Sequence, residues 1–362
     1  MRLWMILAGL TAFSGGVHAG PVAIPEARAD HQSGLIMTND YSCKSDRNPV
    51  IVLHGLFANR NFDLNFFEAW ARPKGYCTFG LTYGAHPLFP SVGGVKLVNE
   101  SSQEIVDLID EVLQKTGAKK VDLVGHSEGG LQALYVAKVR KMSGKIDKIV
   151  GIAPPSHGTD FASLVKIADL LEIRDDVDDL LKTVGCPGCL DVADGDAIKA
   201  LNNGPIVQPG NSVTIIASRY DFIVTPTGTA SFINEPGVYN VWTQDVCPLD
   251  VAGHISLAID ANMFQLTHNA LQGKNGKSFI CTPFSGYKDD RIVTAAVGAS
   301  IMFQYDQDID RLDYANIAIL GTRHPFHSAV GPEVASFAIN LALTLCVDGM
   351  MFAHDTSLRW AL

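Results

Sequence analysis

The chain is short of charge, and of positive charge above all. Lys and Arg number 28 against 38 Asp and Glu, a formal net charge of −10, and charged residues make up only 18% of the sequence. A phosphate-backbone partner needs clustered Lys and Arg, so nucleic acid is excluded as a ligand class. No H-E-x-x-H pair is present, and the one C-x-x-C, Cys186-Pro187-Gly188-Cys189, has no second C-x-x-C or neighbouring His to complete a zinc set. A metal hydrolase is therefore disfavoured, and the sequence calls for no cofactor and no metal. Beyond the N-terminus no apolar run reads as a transmembrane helix. Repeats and low-complexity tracts are also missing, which removes solenoid and linker architectures.

What is there fits a folded globular protein. Apolar residues make up 47% of 362 positions, enough for a sizeable core. Arg2, the apolar stretch Leu3 to Phe13 and the small-residue site Val17-His18-Ala19 read as a secretory signal cleaved after Ala19. Export would place the seven cysteines in an oxidising compartment. Cys43–Cys77, Cys186–Cys189 and Cys247–Cys281 bracket neighbouring elements and are the expected pairs, although sequence alone does not fix connectivity. Asn99-Glu100-Ser101 is a glycosylation triplet of low specificity.

Strands and helices alternate, the pattern of a parallel sheet covered by helices. Val50 to Leu53 is a short apolar run of the kind buried on both faces. Cys77 to Tyr83 reads as a second strand. A helix follows, with Ser101 and Glu104 as its capping box, Ile105, Leu108, Ile109 and Val112 on one face, and Gly117 as its stop. Val121 to Val124, Ile146 to Ala153, Val213 to Ala217 and Val238 to Trp242 read as further strands, with helices from about Gly130 to Lys141 and Ala261 to Leu271. Residues 157–210 break the rhythm. Phe161, Leu164, Val165, Ala168 and Leu171 share a helical face there, consistent either with a surface insertion or with a cap over an acyl-chain pocket. The stretch 286–362 does not fit the alternation.

The chemistry centres on Gly125-His126-Ser127-Glu128-Gly129-Gly130. G-x-S-x-G alone is common. Here it joins a buried strand to a helix, as a nucleophile elbow requires. The hydroxyl of Ser127 would project at the carboxyl edge of the sheet, where open α/β folds bind ligands. A serine needs a base, and this arrangement supplies an acid and then a histidine later in the chain. Asp221 follows the strand ending at Ala217, and His254 follows the strand ending at Trp242, so Asp221 is expected to orient the imidazole of His254. Asp245 and Asp250 are rival acids, and His324 and His327 are rival bases. His126 and His157 read as packing residues. An oxyanion hole takes two backbone N–H groups, expected at Glu128 after the nucleophile and at Leu56 after His54-Gly55.

These pieces together resemble the secreted triacylglycerol lipases of the class 2 lipase family, known from bacteria and fungi, over roughly residues 40–285. The matching segments are Val52-Leu53-His54-Gly55, Tyr76 to Gly84, Val121 to Gly130, Ala153 to Thr159, Cys186 to Cys189, Arg219-Tyr220-Asp221 and Gln244 to Asp250 ahead of His254. The resemblance implies an α/β-hydrolase fold with a mostly parallel central sheet and a helical cap-like insertion at 157–210. The organisation would be a signal at 1–19, a catalytic domain at 20–285 and an extension at 286–362. It implies hydrolysis of an ester or lipid by a Ser127, Asp221, His254 triad, at a lipid–water interface, with no stable protein partner. A specialised substrate such as a secondary-metabolite ester or a polyester, and a non-catalytic binding protein on the same fold, are the alternatives. Relatives often carry Gln after the nucleophile. Glu128 departs from that, and a carboxylate there would disfavour the oxyanion. Some related lipases carry a structural calcium; Asp250 and Asp260 lie in suitable loops but make no ligand set.

Overall fold

A computed structural model of the chain describes residues 37–161, 174–183, 185–283 and 285. The signal expected at 1–19, the extension at 286–362 with His324 and His327, and the part of the insertion carrying Leu164, Val165, Ala168 and Leu171 lie outside the described residues.

Six parallel strands form one sheet in the order β2-β1-β3-β4-β5-β6: β1 Val50–Leu53, β2 Thr78–Gly80, β3 Val121–His126, β4 Ile146–Ile152, β5 Ser212–Ala217 and β6 Val238–Trp242. Their composition follows from burial on both faces. Ile51, Leu53, Leu123, Ile149, Val213 and Ile215 belong to the core on one side. Val50, Val52, Val124, Val150, Ile152 and Ile216 belong to the core on the other. Helices α2 (Val98–Thr116) and α3 (Glu128–Lys138) pack on the first side through Ile105, Ile109, Leu131 and Leu134. The second is covered by α1 (Asn65–Ala71) and by a helix at Ala261–Leu271, through Phe67, Met263 and Phe264. Parallel strands need such crossovers, which bring every strand's carboxyl end to one edge.

Two expected elements differ in detail. The second strand spans only Thr78–Gly80, in register with Val50, Ile51 and Val52. It is the edge strand, and the chain then leaves the sheet so that Tyr83 can stack on His54, with ring centroids 4.2 Å apart. The start of α2 is also shifted. The helix begins at Val98, so Ser101 lies inside it with its hydroxyl donating to the Leu97 carbonyl at 3.1 Å. Glu104 accepts from the Gly84 N–H and from Lys96 instead of closing a capping box. The cap comes from far along the chain. The Val98 N–H donates to Asp191 at 2.8 Å, which satisfies one of the otherwise orphaned N–H groups of the first turn. Gly117 ends the helix in the left-handed conformation, at φ 76°.

Among the described residues three short helices leave the sheet after β4, α4 (Arg174–Thr183), α5 (Pro187–Ala193) and α6 (Asp196–Asn202), and Asp191 belongs to α5. Disulfides join Cys43 to Cys77, Cys186 to Cys189 and Cys247 to Cys281, the pairs expected. The Cys186–Cys189 bridge packs with Val95, and Leu56 lies against this small cluster. The Gly188 N–H donates to the Val95 carbonyl at 2.8 Å. A side chain at Gly188 would come within 2.5 Å of the Lys96 carbonyl oxygen, so only glycine allows this approach.

Candidate active site

Strand β3 lies near the middle of the sheet, between β1 and β4. It runs into α3 through a single residue, Ser127, at φ 54° and ψ −124°. A non-glycine residue held at positive φ is strained and persists only where its surroundings fix it. Those surroundings are visible. The Ser127 N–H donates to the Ile152 carbonyl at 2.8 Å. A Cβ on Gly125 would fall 2.2 Å from the Gly129 carbonyl carbon, and one on Gly129 would fall 2.1 Å from the Leu53 carbonyl oxygen. The two glycines of the motif are therefore demanded by backbone passing close to backbone.

The hydroxyl meets a histidine far along the chain, the first residue of a short helix at His254–Leu257. His254 Nε2 lies 2.9 Å from Ser127 Oγ, and His254 Nδ1 lies 2.7 Å from Asp221 Oδ2. Both His254 and Asp221 are buried. The other carboxylate oxygen of Asp221 accepts from the N–H groups of Ile223 and Val224 at 2.8 and 2.9 Å. The acid is thus fixed on both sides, one oxygen by backbone and one by imidazole. Buried Ser218 ties the two loops together: its hydroxyl donates to the Ala252 carbonyl and accepts from Gln244. The rival acids are placed elsewhere. Asp245 pairs with Arg219 at 2.8 Å, and Asp250 accepts from Ala252 N–H and Asn262. Asp260 caps the helix at Ala261–Leu271 through the Met263 N–H.

The segment carrying Leu56 leaves β1 directly beside the elbow. A Cβ on Gly55 would sit 3.2 Å from Ser127 Cβ. Gly93 holds this segment from outside: the Phe57 N–H donates to its carbonyl at 3.0 Å, and the Gly93 N–H donates to the Ala58 carbonyl at 2.8 Å. Phe57 adopts φ 64° to make this turn. His54 lies beneath. Burial pushes its pKa down, so the ring is neutral, with Nδ1 set 2.8 Å from the Gly55 carbonyl.

Glu128 alters the expectation attached to it. Its side chain is fully buried, one oxygen accepts from Gln132 at 3.1 Å, and the other has no partner among the described residues. Burial pushes its pKa well above the ordinary carboxyl range, with Asp191 adding to the rise and Gln132 opposing it. Burial thus favours the protonated acid over the carboxylate that would disfavour an oxyanion beside it. A carboxyl whose pKa is raised by folding binds its proton more tightly in the native state, so stability falls as pH rises from the unfolded pKa toward the folded one. Glu128→Gln removes this proton. The melting temperature of the variant is expected to decline less between about pH 5 and pH 9 than that of the parent, as thermal unfolding across that range will register.

Two residues beside Ser127 and His254 carry more than sequence reasoning assigns them. His126, read as packing, contacts the Asp63 carboxylate through Nδ1 at 2.9 Å and the His254 backbone carbonyl through Nε2 at 3.0 Å. Asp63 has no local signal: it lies 63 positions from its partner, in the turn before α1.

Residues 48–182 match the family model described as alpha/beta hydrolase fold. A triacylglycerol lipase of Pseudarthrobacter phenanthrenivorans is 32% identical over 123 residues, covering 33% of this chain and 37% of that one. A triacylglycerol lipase of Vibrio cholerae is 29% identical over 171 residues, covering 46% and 47%. The chain spans less than half the length of these curated relatives. Among solved structures, Aspergillus fumigatus lipase B superposes with a TM-score of 0.50 at 19% identity, over 69% of this chain and 56% of that one. The chain has the α/β-hydrolase fold.

Proposed function

We propose that this α/β-hydrolase-fold chain is a secreted serine ester hydrolase, a lipase or carboxylesterase, working through an acyl-enzyme on Ser127. The observation that carries the reading is the hydrogen-bonded line Ser127 Oγ, His254 Nε2, His254 Nδ1, Asp221 Oδ2, with contacts of 2.9 and 2.7 Å. The names of the relatives as triacylglycerol lipases point the same way. The three disulfides fit an oxidising destination.

In the reaction Ser127 Oγ attacks the ester carbonyl carbon while His254 Nε2 takes its proton. Asp221 keeps the Nδ1 proton in place and stabilises the imidazolium that forms. The negative charge on the carbonyl oxygen is met by the backbone N–H groups of Leu56 and Glu128. Collapse of this intermediate breaks the bond to the leaving alcohol, which takes its proton from His254. Water, deprotonated by the same imidazole, then releases the carboxylic acid and restores Ser127.

The test is a substrate profile. Purified protein is assayed on p-nitrophenyl esters of increasing acyl length and on an emulsified triglyceride. Turnover extending to long chains and the emulsion is the expected result and makes the enzyme a lipase. Turnover confined to short chains makes it a carboxylesterase. Absence of ester turnover by folded protein defeats the proposal.

A further inference from the structure

The hydrogen-bond requirements of His126 are unusual for a buried ring. Nδ1 faces both oxygens of Asp63, at 2.9 and 3.2 Å, and Nε2 faces the His254 carbonyl oxygen at 3.0 Å. A carbonyl only accepts, and so does an ionised carboxylate. Two donors are therefore needed from one ring. Asp63 is bound a second time, since its Oδ2 accepts from the Gly55 N–H at 2.5 Å. His126 and Asp63 are both buried, at 3% and 7% exposure, so bulk water cannot rescue an unpaired nitrogen. The arrangement joins three separate parts of the site: the segment leading to Leu56, the elbow, and the backbone of the base.

We propose that His126 and Asp63 form a charged positioning pair, in which a doubly protonated His126 holds the His254 backbone in register with Ser127 while Asp63 holds Gly55. The proposal rests on the Ser127, His254, Asp221 reading. The titratable and charged groups facing His126 are Asp63 from the turn before α1, Asp221 from the loop after β5, and His254, whose ring centroid is 5.0 Å away. Burial alone would lower the pKa of His126, but the Asp63 carboxylate outweighs it and holds the ring above the ordinary histidine range. Two imidazoles at this spacing are tolerated because each has its own carboxylate, Asp63 for one and Asp221 for the other.

The sign of the pH effect follows. A histidine whose pKa is raised by folding contributes fully below its unfolded pKa, and that contribution is lost as pH rises through the folded value. Once deprotonated, His126 must turn a bare lone pair toward either Asp63 or the His254 carbonyl. One of the two contacts becomes repulsive, and the base shifts. Activity should therefore carry an alkaline limb that belongs to His126. Asp63→Asn offers a neutral solution with the same contacts: the oxygen of the substituted amide accepts from Gly55 N–H, its NH₂ group donates to Nδ1, and Nε2–H still donates to His254.

Two measurements decide it. Histidine-selective 15N NMR of the full chain at pH 7, assigned with His126→Asn, should show both ring nitrogens of His126 protonated in the parent protein and only one in Asp63→Asn. This readout is independent of ester turnover, so its outcome stands apart from failure of the proposed function. In kinetics, His126→Ala should lower kcat by about 10- to 100-fold, the usual effect of a misplaced catalytic group, with little change in KM. Asp63→Asn should keep kcat within about tenfold of the parent at pH 7 and lose the alkaline limb of kcat/KM. A bare nitrogen on His126 in the parent at pH 7, a parent profile with no alkaline limb, or the same limb in Asp63→Asn overturns the proposal.

Discussion

Replacing Ser127 by alanine is expected to lower kcat by at least about 10³-fold, and toward the order of 10⁶-fold if the triad acts as a unit. Only the oxyanion hole and substrate binding would then remain to stabilise the transition state. The fold should not suffer. Ser127 gives up its hydrogen bond to His254 Nε2 at 2.9 Å, and alanine meets the same backbone demand at φ 54° as serine does. An unchanged or slightly higher melting temperature is the expected companion to the loss of turnover, as is common when a functional group is removed from a strained site. The measurement is kcat on the best ester from the substrate profile, with thermal unfolding of the same preparations. A variant that retains more than about a tenth of the parent kcat would remove Ser127 from the nucleophile's role, since loss of a triad nucleophile costs several orders of magnitude.

Gly129→Ala is expected to have the largest effect on the fold of any single methyl group considered. Its Cβ would lie 2.1 Å from the Leu53 carbonyl oxygen and 2.6 Å from that of His54. Neither obstacle is the flexible end of a side chain. Both are backbone at the end of β1, which is paired to β2 on one side and β3 on the other. Ordinary overpacking of a core costs roughly 1–3 kcal/mol. Here α3 would have to lift from the sheet, taking Ser127 with it, so the cost should exceed that range and consume much of a typical stability of about 5–15 kcal/mol. Little soluble, cooperatively unfolding protein is the predicted yield. Gly144→Ala is the matched control, because nothing among the described residues lies within 4 Å of its added Cβ and its backbone is not at positive φ. Comparable melting temperatures for the two variants would refute the steric account of the elbow.

The elbow is legible in the sequence because its constraint is local. Gly125, Ser127 and Gly129 answer to a single strand-to-helix turn, and each is the residue that turn demands. Chain order and the strands ahead of them narrow the choice to Asp221 and His254, and the fold brings His254 to Ser127 and Asp221 to His254. The cysteines are legible as pairs because each pair brackets neighbouring elements. What escapes sequence reading is set by partners distant in the chain. A capping box is a short-range pattern and puts the start of α2 at Ser101, whereas the cap in use is Asp191, 93 positions away from Val98. Leu81 and Tyr83 look like strand residues and lengthen the expected second strand, though Tyr83 is aromatic to stack on a histidine ring. Asp63 carries no signal at all. The raised pKa of Glu128 is equally hidden, since a glutamate in a sequence reads as a charge until its burial is known.

The parallel order of the sheet has a consequence for how activity comes into being. Ser127 and His254 stand 127 positions apart, and Asp221 and His254 are brought in by β5 and β6 at one end of the ladder. Such non-local pairings close large loops and are made late, because the entropy of closure precedes their reward. Local helices such as α2 can form early, but no early species holds a base beside its nucleophile. On the proposed function, a partly refolded chain would be inert toward esters until both β5 and β6 have joined the sheet.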